Sequence, residues 1–332
     1  MPINVLVSGA GGDVGQGVLR ALSASRLDVK CYTTCISKHS AGLYMGARGF
    51  LAPLSNDESY VPFLINLIKK LGINSFFPTV DGEIKKIAKE KSHIEAETGA
   101  FVFVDDLKKV SITDDKLENF RYLQERNFPC PHSISADSPD LLNFVQNYGF
   151  PVVVKRRVGR GGQEVVIAKS FNQIEPVIGD SSFMLQEWLD PVQGEFTSGF
   201  YIGDDGEIKG DCTFQRKLRG GSTIVAQRII DRDLEGPLEE IAVSLGMKYL
   251  NIQSMRRGGV LVPFEFNGRL SGTTSIVSKI FNAPEMFIRE KLLGEKLYRI
   301  NNTERFVAMR YYDEVYASFD EVDQLVARSV GA

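Results

Sequence analysis

The segment LVPFEFNGRLSGTTS at 261–275 places two oxygen donors, Glu265 and Asn267, two positions apart and just ahead of the cation Arg269. Side chains alternate along an extended chain, so Glu265 and Asn267 share one face while Val262, Phe264 and Phe266 share the other. A hard cation such as Mg²⁺ takes oxygen ligands and keeps positions for water and substrate phosphates, which a carboxylate beside an amide suits. Taken alone, these residues would equally serve as the solvent-facing side of a strand. Gln253 joins them only if the turn at Gly258 and Gly259 holds an odd number of residues. Three residues set Gln253 opposite Glu265; two slip the pairing by one and turn Gln253 away. Arg269 follows, where it could reach a transferred phosphoryl group.

Two glycine loops could hold anions. VGRGGQEVV at 158–166 lies between β-branched runs and reads as a hairpin tip, whose amides could cover a triphosphate while Lys155 points charge at its oxygens. An exposed hairpin with one partly buried lysine is the plainer alternative. GAGGDVG at 9–15 puts Gly9, Gly12 and Gly15 at a strand end, as a dinucleotide site would. NAD binding usually also needs an acid near the end of the second strand, and CYTTCISKHS supplies none. A tight turn or a substrate-facing edge is the competing reading, and an NAD-dependent oxidoreductase stays as an alternative.

Other reactive residues read as structural. His39, His93 and His132 have no triad or zinc spacing, and Cys31 and Cys35 are expected as buried strand thiols. Asp81 and Glu83 could face a substrate, although a helix N-terminus also favours acids.

These groups need two kinds of scaffold. INVLVS at 3–8 followed by VGQGVLRALSAS, with strands at 29–36 and 74–78, helices at 59–71 and 82–91, and FVFV at 101–104, predicts an open parallel sheet over about 105 residues. DDLKKVSITDDK is charged and marks a boundary. A helix near 115–127 leads into hairpin-rich segments of an antiparallel sheet, with a helix at 237–247 before the last two strands.

Composition bounds the rest. The 332 residues exceed twice a typical domain of roughly 150, so two or three domains are expected. With 39 basic and 42 acidic side chains, the chain lacks the positive excess of a nucleic-acid binder. No apolar run approaches ~18 residues, so no membrane span is expected, and a glycine turn precedes any signal-type region; the protein is read as cytoplasmic.

Taken in order, Lys116, Lys155, the glycine hairpin, Glu187, Glu195 and the EFNGR strand resemble an ATP-grasp carboxylate-amine ligase, most closely the carbamoyl-phosphate synthase large-chain-like branch. The resemblance implies α/β and α+β architecture: a pre-ATP-grasp, Rossmann-like open parallel sheet over 1–108, then an ATP-grasp domain of two α+β subdomains over 109–332. Within the latter it implies a glycine-hairpin lid at about 127–187 and a metal-binding core at about 188–310. It implies ATP and Mg (or Mn) as cofactors. Lys116, Lys155, Gly159, Gly161 and Gly162 would meet phosphates, Glu187, Trp188 and Leu189 adenine, and Glu195 the ribose. Trp188 could instead be a hinge or core packer. Gln253, Glu265 and Asn267 would hold metal, and Arg269 and Lys155 would act in catalysis.

Gly268 replaces the proline of the family's asparagine-proline-arginine motif. Arg216, Lys217 and Arg219 fall where relatives bind substrate or phosphate, with Ser271 as a further substrate residue, although a solvated basic hairpin would account for the three cations equally well. The implied reaction activates a carboxylate as an acyl phosphate and joins it to an amine, releasing ADP and phosphate. Carbamate or bicarbonate as the acid, and a non-catalytic nucleotide-binding protein, are alternatives. Small-molecule partners and compatibility with a homodimer follow, without nucleic acid or membrane.

Overall fold

The computed structural model describes residues 2–159 and 165–330. The first unit alternates strands and helices: β1 (Ile3–Val7), α1 (Asp13–Ser23), β2 (Val29–Cys35), α2 (Gly42–Met45), β3 (Arg48–Leu51), α3 (Tyr60–Leu71), β4 (Ser75–Phe77), α4 (Asp81–Thr98) and β5 (Phe101–Val102). All pairings are parallel, in the order β3-β2-β1-β4-β5. Strand β3 was not expected: RGFL is too short to show a period. Its Gly49 is needed because a Cβ there would lie 2.4 Å from the Leu43 carbonyl oxygen.

The charged stretch read as a boundary forms helix α5 (Leu107–Asp114), followed by α6 (Lys116–Glu125). Short polar caps make this possible. The Asp106 side chain accepts from Lys109 N at 3.0 Å, and Asp115 ends one helix while accepting from Leu117 N at 2.9 Å to start the next. Val110 supplies the buried contact.

A small antiparallel sheet then forms from β6 (Ser133–Ser135), β7 (Val152–Arg156), β8 (Val166–Ala168) and β9 (Phe183–Glu187), ordered β6-β9-β7-β8, with α7 (Leu141–Tyr148) on one face. It has its own core, in which Leu141, Phe144 and Val145 of α7 meet Val152, Val154 and Leu185.

The larger antiparallel sheet comprises β10 (Glu195–Ile202), β11 (Ile208–Arg219), β12 (Ser222–Ile229), β13 (Tyr249–Arg257), β14 (Val260–Asn267) and β15 (Val307–Met309), ordered β14-β13-β10-β11-β12-β15. Helix α8 (Arg232–Leu245) covers its back through Leu238 and Ile241 against Phe200, Ile252 and Phe266. The helix starts earlier than expected. Proline favours the first helical turn, which made Pro237 read as a start, but the Asp231 side chain caps Leu234 N at 3.2 Å and leaves Pro237 inside.

Helices α9 (Thr274–Val277), α10 (Ala283–Lys291) and α11 (Phe319–Val330) complete the chain. Phe287 of α10 packs edge-on against Phe77 and Phe103, at centroid distances of 5.8 and 4.8 Å, and joins the parallel sheet to the larger unit. Burying each such ring is worth roughly 2–3 kcal/mol.

Candidate active site

A cavity of about 540 Å³ opens between the small sheet and the front of the six-stranded sheet, and the N-terminal unit closes one end. The strand carrying Glu265 and Asn267 reaches it by an unexpected route. The turn between β13 and β14 has two residues, Gly258 and Gly259, both at positive φ (57° and 89°), and Arg257 pairs with Val260. Continued regularly, that register would set Phe264 opposite Gln253 and send Glu265 toward α8. A bulge between Gln253 and Ser254 takes up the extra residue, so Gln253 pairs with Glu265 and Asn251 with Asn267.

The bulge corrects two expectations. A two-residue turn does not turn Gln253 away, and Phe264 does not share a face with Phe266. Phe264 lines the cavity beside Glu265, while Leu261 and Phe266, five residues apart, enter the same core. Gln253, Glu265 and Asn267 therefore line one wall. Among the described residues no group of three His, Cys, Asp or Glu could hold a metal ion. The set offers one carboxylate and two amides, hard oxygens that fit magnesium when water and phosphate complete its shell. The Gln253 amide oxygen already accepts from Arg216 Nη2 at 2.7 Å, leaving one lone pair.

Two lysines face this wall. Lys155, 5% exposed, donates to Gln186 Oε1 at 2.9 Å and to the Phe264 carbonyl at 3.4 Å. Burial pushes its ammonium down to about 8; the Glu265 carboxylate opposes that shift and Lys116 adds to it. Lys116, at the first position of α6, donates to the Gly159 carbonyl at 3.0 Å. Asp115 holds that helix end by pairing with Arg157 at 2.7 Å. Gly159 lines the cavity; Gly161 and Gly162, with Glu164, lie outside the described residues.

Glu187, Trp188 and Leu189 line the cavity where β9 ends. The Glu187 side chain pairs with Arg257 at 2.6 Å, and its backbone N donates to the His132 carbonyl at 2.8 Å. Glu195 is ion-paired with Arg216, whose guanidinium also reaches Gln253. Of the three basic residues of the hairpin, Arg216 lines the cavity, together with Ser222 of the same hairpin, while Lys217 and Arg219 are exposed and away from its wall; alternation along the strand with Arg216 inward turns Lys217 out.

At the other end Arg269 is ion-paired with Asp81 and donates to the Leu270 carbonyl at 2.8 Å. Ser271 lies beside it. Glu83, by contrast, is buried away from the cavity. It accepts from Thr79 N at 2.7 Å and Val80 N at 2.8 Å, and from Ser8 and Tyr60 hydroxyls, and burial raises its carboxyl. It therefore pins the turn that presents Asp81. Gly9 and Gly15 serve close packing: a Cβ on Gly9 would lie 2.3 Å from Val80 Cγ2, and one on Gly15 2.6 Å from the Gly9 carbonyl oxygen. That loop delivers Asp13 to the cavity, where it accepts from Ser222 and Arg310.

Sequence reading missed Asp13, Gln186 and Ser222. Gln186 had a signal, because it sits one residue before the Glu187 segment on a strand that had to pair with Lys155's strand. Cys31 and Cys35 are half-buried rather than fully buried.

Residues 113–208 match the family described as RimK-like ATP-grasp domain. A carbamoyl-phosphate synthase from Methanobrevibacter smithii is 27% identical over 143 residues, 41% of this chain and 38% of that protein. A probable alpha-L-glutamate ligase from Shewanella pealeana is 27% identical over 202 residues, 55% of this chain and 43% of the relative. The chain thus spans less than half the length of these curated relatives. A solved N5-carboxyaminoimidazole synthetase from Staphylococcus aureus, complexed with ADP, superposes with a TM-score of 0.72 at 15% identity, covering 93% of this chain and 82% of that one. The chain has the ATP-grasp fold, and within it residues 113–208 are similar to the RimK-like ATP-grasp domain.

Proposed function

We propose that this protein is an ATP-dependent ligase that phosphorylates a small-molecule carboxylate and joins the acyl phosphate to an amine, releasing ADP and phosphate. The observation carrying this reading is the convergence of Lys116, Lys155, Glu265, Asn267 and Arg269 on one cavity. Glutamate ligase and carbamoyl-phosphate synthase relatives support the same class. Residues 1–108 would form the pre-ATP-grasp unit and 109–332 the ATP-grasp domain, with a small-sheet subdomain at about 127–187 and the core at about 188–310.

Glu187, Trp188 and Leu189 would seat adenine, and Glu195, held by Arg216, would accept the ribose hydroxyls. Lys116 and Lys155 would place positive charge at the phosphates. Gln253, Glu265 and Asn267 would hold magnesium, which when bound neutralises phosphate oxygens. Arg269 would stabilise charge on the transferred phosphoryl oxygens, with Ser271, Ser222 and Asp13 toward the acid and amine. No side-chain nucleophile is needed, because an oxygen of the bound carboxylate attacks the γ-phosphorus in line.

The test is product mass spectrometry after incubation with ATP, magnesium and pooled acids and amines. ADP and a condensed product, each requiring both an acid and an amine, are expected. ADP release indifferent to both pools would overturn the ligase reading, and ATP binding without ADP release would favour a non-catalytic nucleotide-binding role.

A further inference from the structure

We propose that a second groove, on the back of the six-stranded sheet, is a binding site for a small dianion bearing carboxylate or phosphate groups. The pleat alternates side chains between faces, and it separates this groove from the first cavity. Glu195, Arg216 and Met255 line the front cavity; their chain neighbours Phe196, Gln215 and Arg256 line the back groove. The groove measures about 520 Å³ and has a continuous cross-strand floor, because Phe196 pairs with Gln215, Gln215 with Gln227 and Gln227 with Val307.

Three guanidinium groups surround this floor: Arg228, Arg256 and Arg305. Arg256 and Arg305 come from different strands or segments, are exposed, and have no hydrogen-bond or ion-pair partner among the described residues. Arg228 is buried, and its Nε has no hydrogen-bond partner among the described residues. Its Nη1 donates to the Thr213 carbonyl at 3.4 Å, and its nearest carboxylate, Glu235, stands 3.8 Å away, beyond hydrogen-bond reach.

The groove wall carries one acid, Asp231, whose carboxylate caps α8 at Leu234 N, 3.2 Å away, against three arginines. A buried cation with weak compensation beneath two unpaired arginines creates a positive field that a bound dianion would neutralise. The amides of Gln215 and Gln227 can add hydrogen bonds to its oxygens. Two exposed arginines cost the fold little on their own, so their placement around a buried third is what points to a ligand.

The experiment is isothermal titration at pH 8 of inorganic phosphate and, separately, succinate, each against sodium chloride at matched ionic strength. Lys155→Ala serves as the reference protein because, on the proposed function, it should weaken anion binding in the front cavity. Binding of at least one anion to Lys155→Ala is expected, and the preferred probe distinguishes a phosphate ligand from a carboxylate one. Adding Arg256→Gln and Arg305→Gln should weaken that binding at least about tenfold, the loss expected when charge-assisted hydrogen bonds are removed. Arg256→Lys with Arg305→Lys should retain part of it, which separates lost charge from a disturbed fold. Failure of both anions to bind above the chloride control, or unchanged affinity in the glutamine variant, would overturn the proposal.

Discussion

Gln253 faces Glu265 across neighbouring strands although the turn joining those strands has only two residues. The bulge that restores this pairing also sends the Phe264 carbonyl toward Lys155, 3.4 Å from its Nζ. One extra residue in β14 thus brings a carboxylate, an amide and a lysine onto the same cavity, and the site depends on it.

Glu265 is the sole carboxylate among the proposed magnesium ligands. In Glu265→Ala, magnesium should add nothing to the thermal stabilisation given by ATP alone, whereas in the parent protein it should add several degrees. Turnover should fall at least about a hundredfold, equivalent to about 3 kcal/mol of transition-state stabilisation. Equal magnesium dependence in the two proteins would refute the assignment.

Much of the parallel sheet is legible because its strands and helices keep their periods long enough to be counted, as in Ile3–Val7 and Tyr60–Leu71. The four-residue Arg48–Leu51 strand is not, and the capped helix at Leu107–Asp114 hides under a charged sequence. At the site, the sequence marks Lys155, Glu265 and Arg269 by type and order. It cannot mark the bulge, because a single added residue leaves composition and period unchanged until both strand ends are seen. Asp81 is likewise legible as an acid at a helix start, but its ion pair with Arg269 joins residues far apart in the chain.

Glu195 is proposed to accept the ribose hydroxyls while Arg216 holds its carboxylate. Glu195→Ala should therefore raise the KM for ATP about tenfold with a smaller change in kcat. It should also erase the preference for ATP over an analogue lacking both ribose hydroxyls. A preference that survives the substitution would place the ribose elsewhere.

Gly268 stands where the resembling family has proline, and the packing gives a steric reason. A Cβ at this position would lie 2.4 Å from Met247 Cε and 2.5 Å from Thr113 Oγ1. Gly268→Pro is therefore expected to destabilise the protein by about 1–3 kcal/mol, read as a lower urea midpoint at unchanged slope. Measured in a Met247→Ala background, Gly268→Pro should cost less, because the side chain it crowds is gone. A stabilised Gly268→Pro protein would mean that the crowding is relieved without cost.

Lys155 provides a pH signature. Its folded value of about 8 lies below the ordinary 10.5, so between those limits the unfolded chain binds more protons than the folded one. Stability from this group therefore rises with pH across that window, and the full penalty, roughly 3 kcal/mol, is present below it. Lys155→Met removes the titration but leaves the Gln186 oxygen without its donor, so its advantage at pH 7 is smaller than the penalty. The stability difference, variant minus parent, should fall by up to roughly 3 kcal/mol between pH 8 and 10.5, measured by urea unfolding. ATP affinity should move the other way in the parent alone: phosphate favours the charged lysine, so binding weakens above pH 8, by as much as about tenfold per unit. A flat difference curve would mean that Lys155 keeps an ordinary pKa in the folded protein and is better solvated than its burial implies.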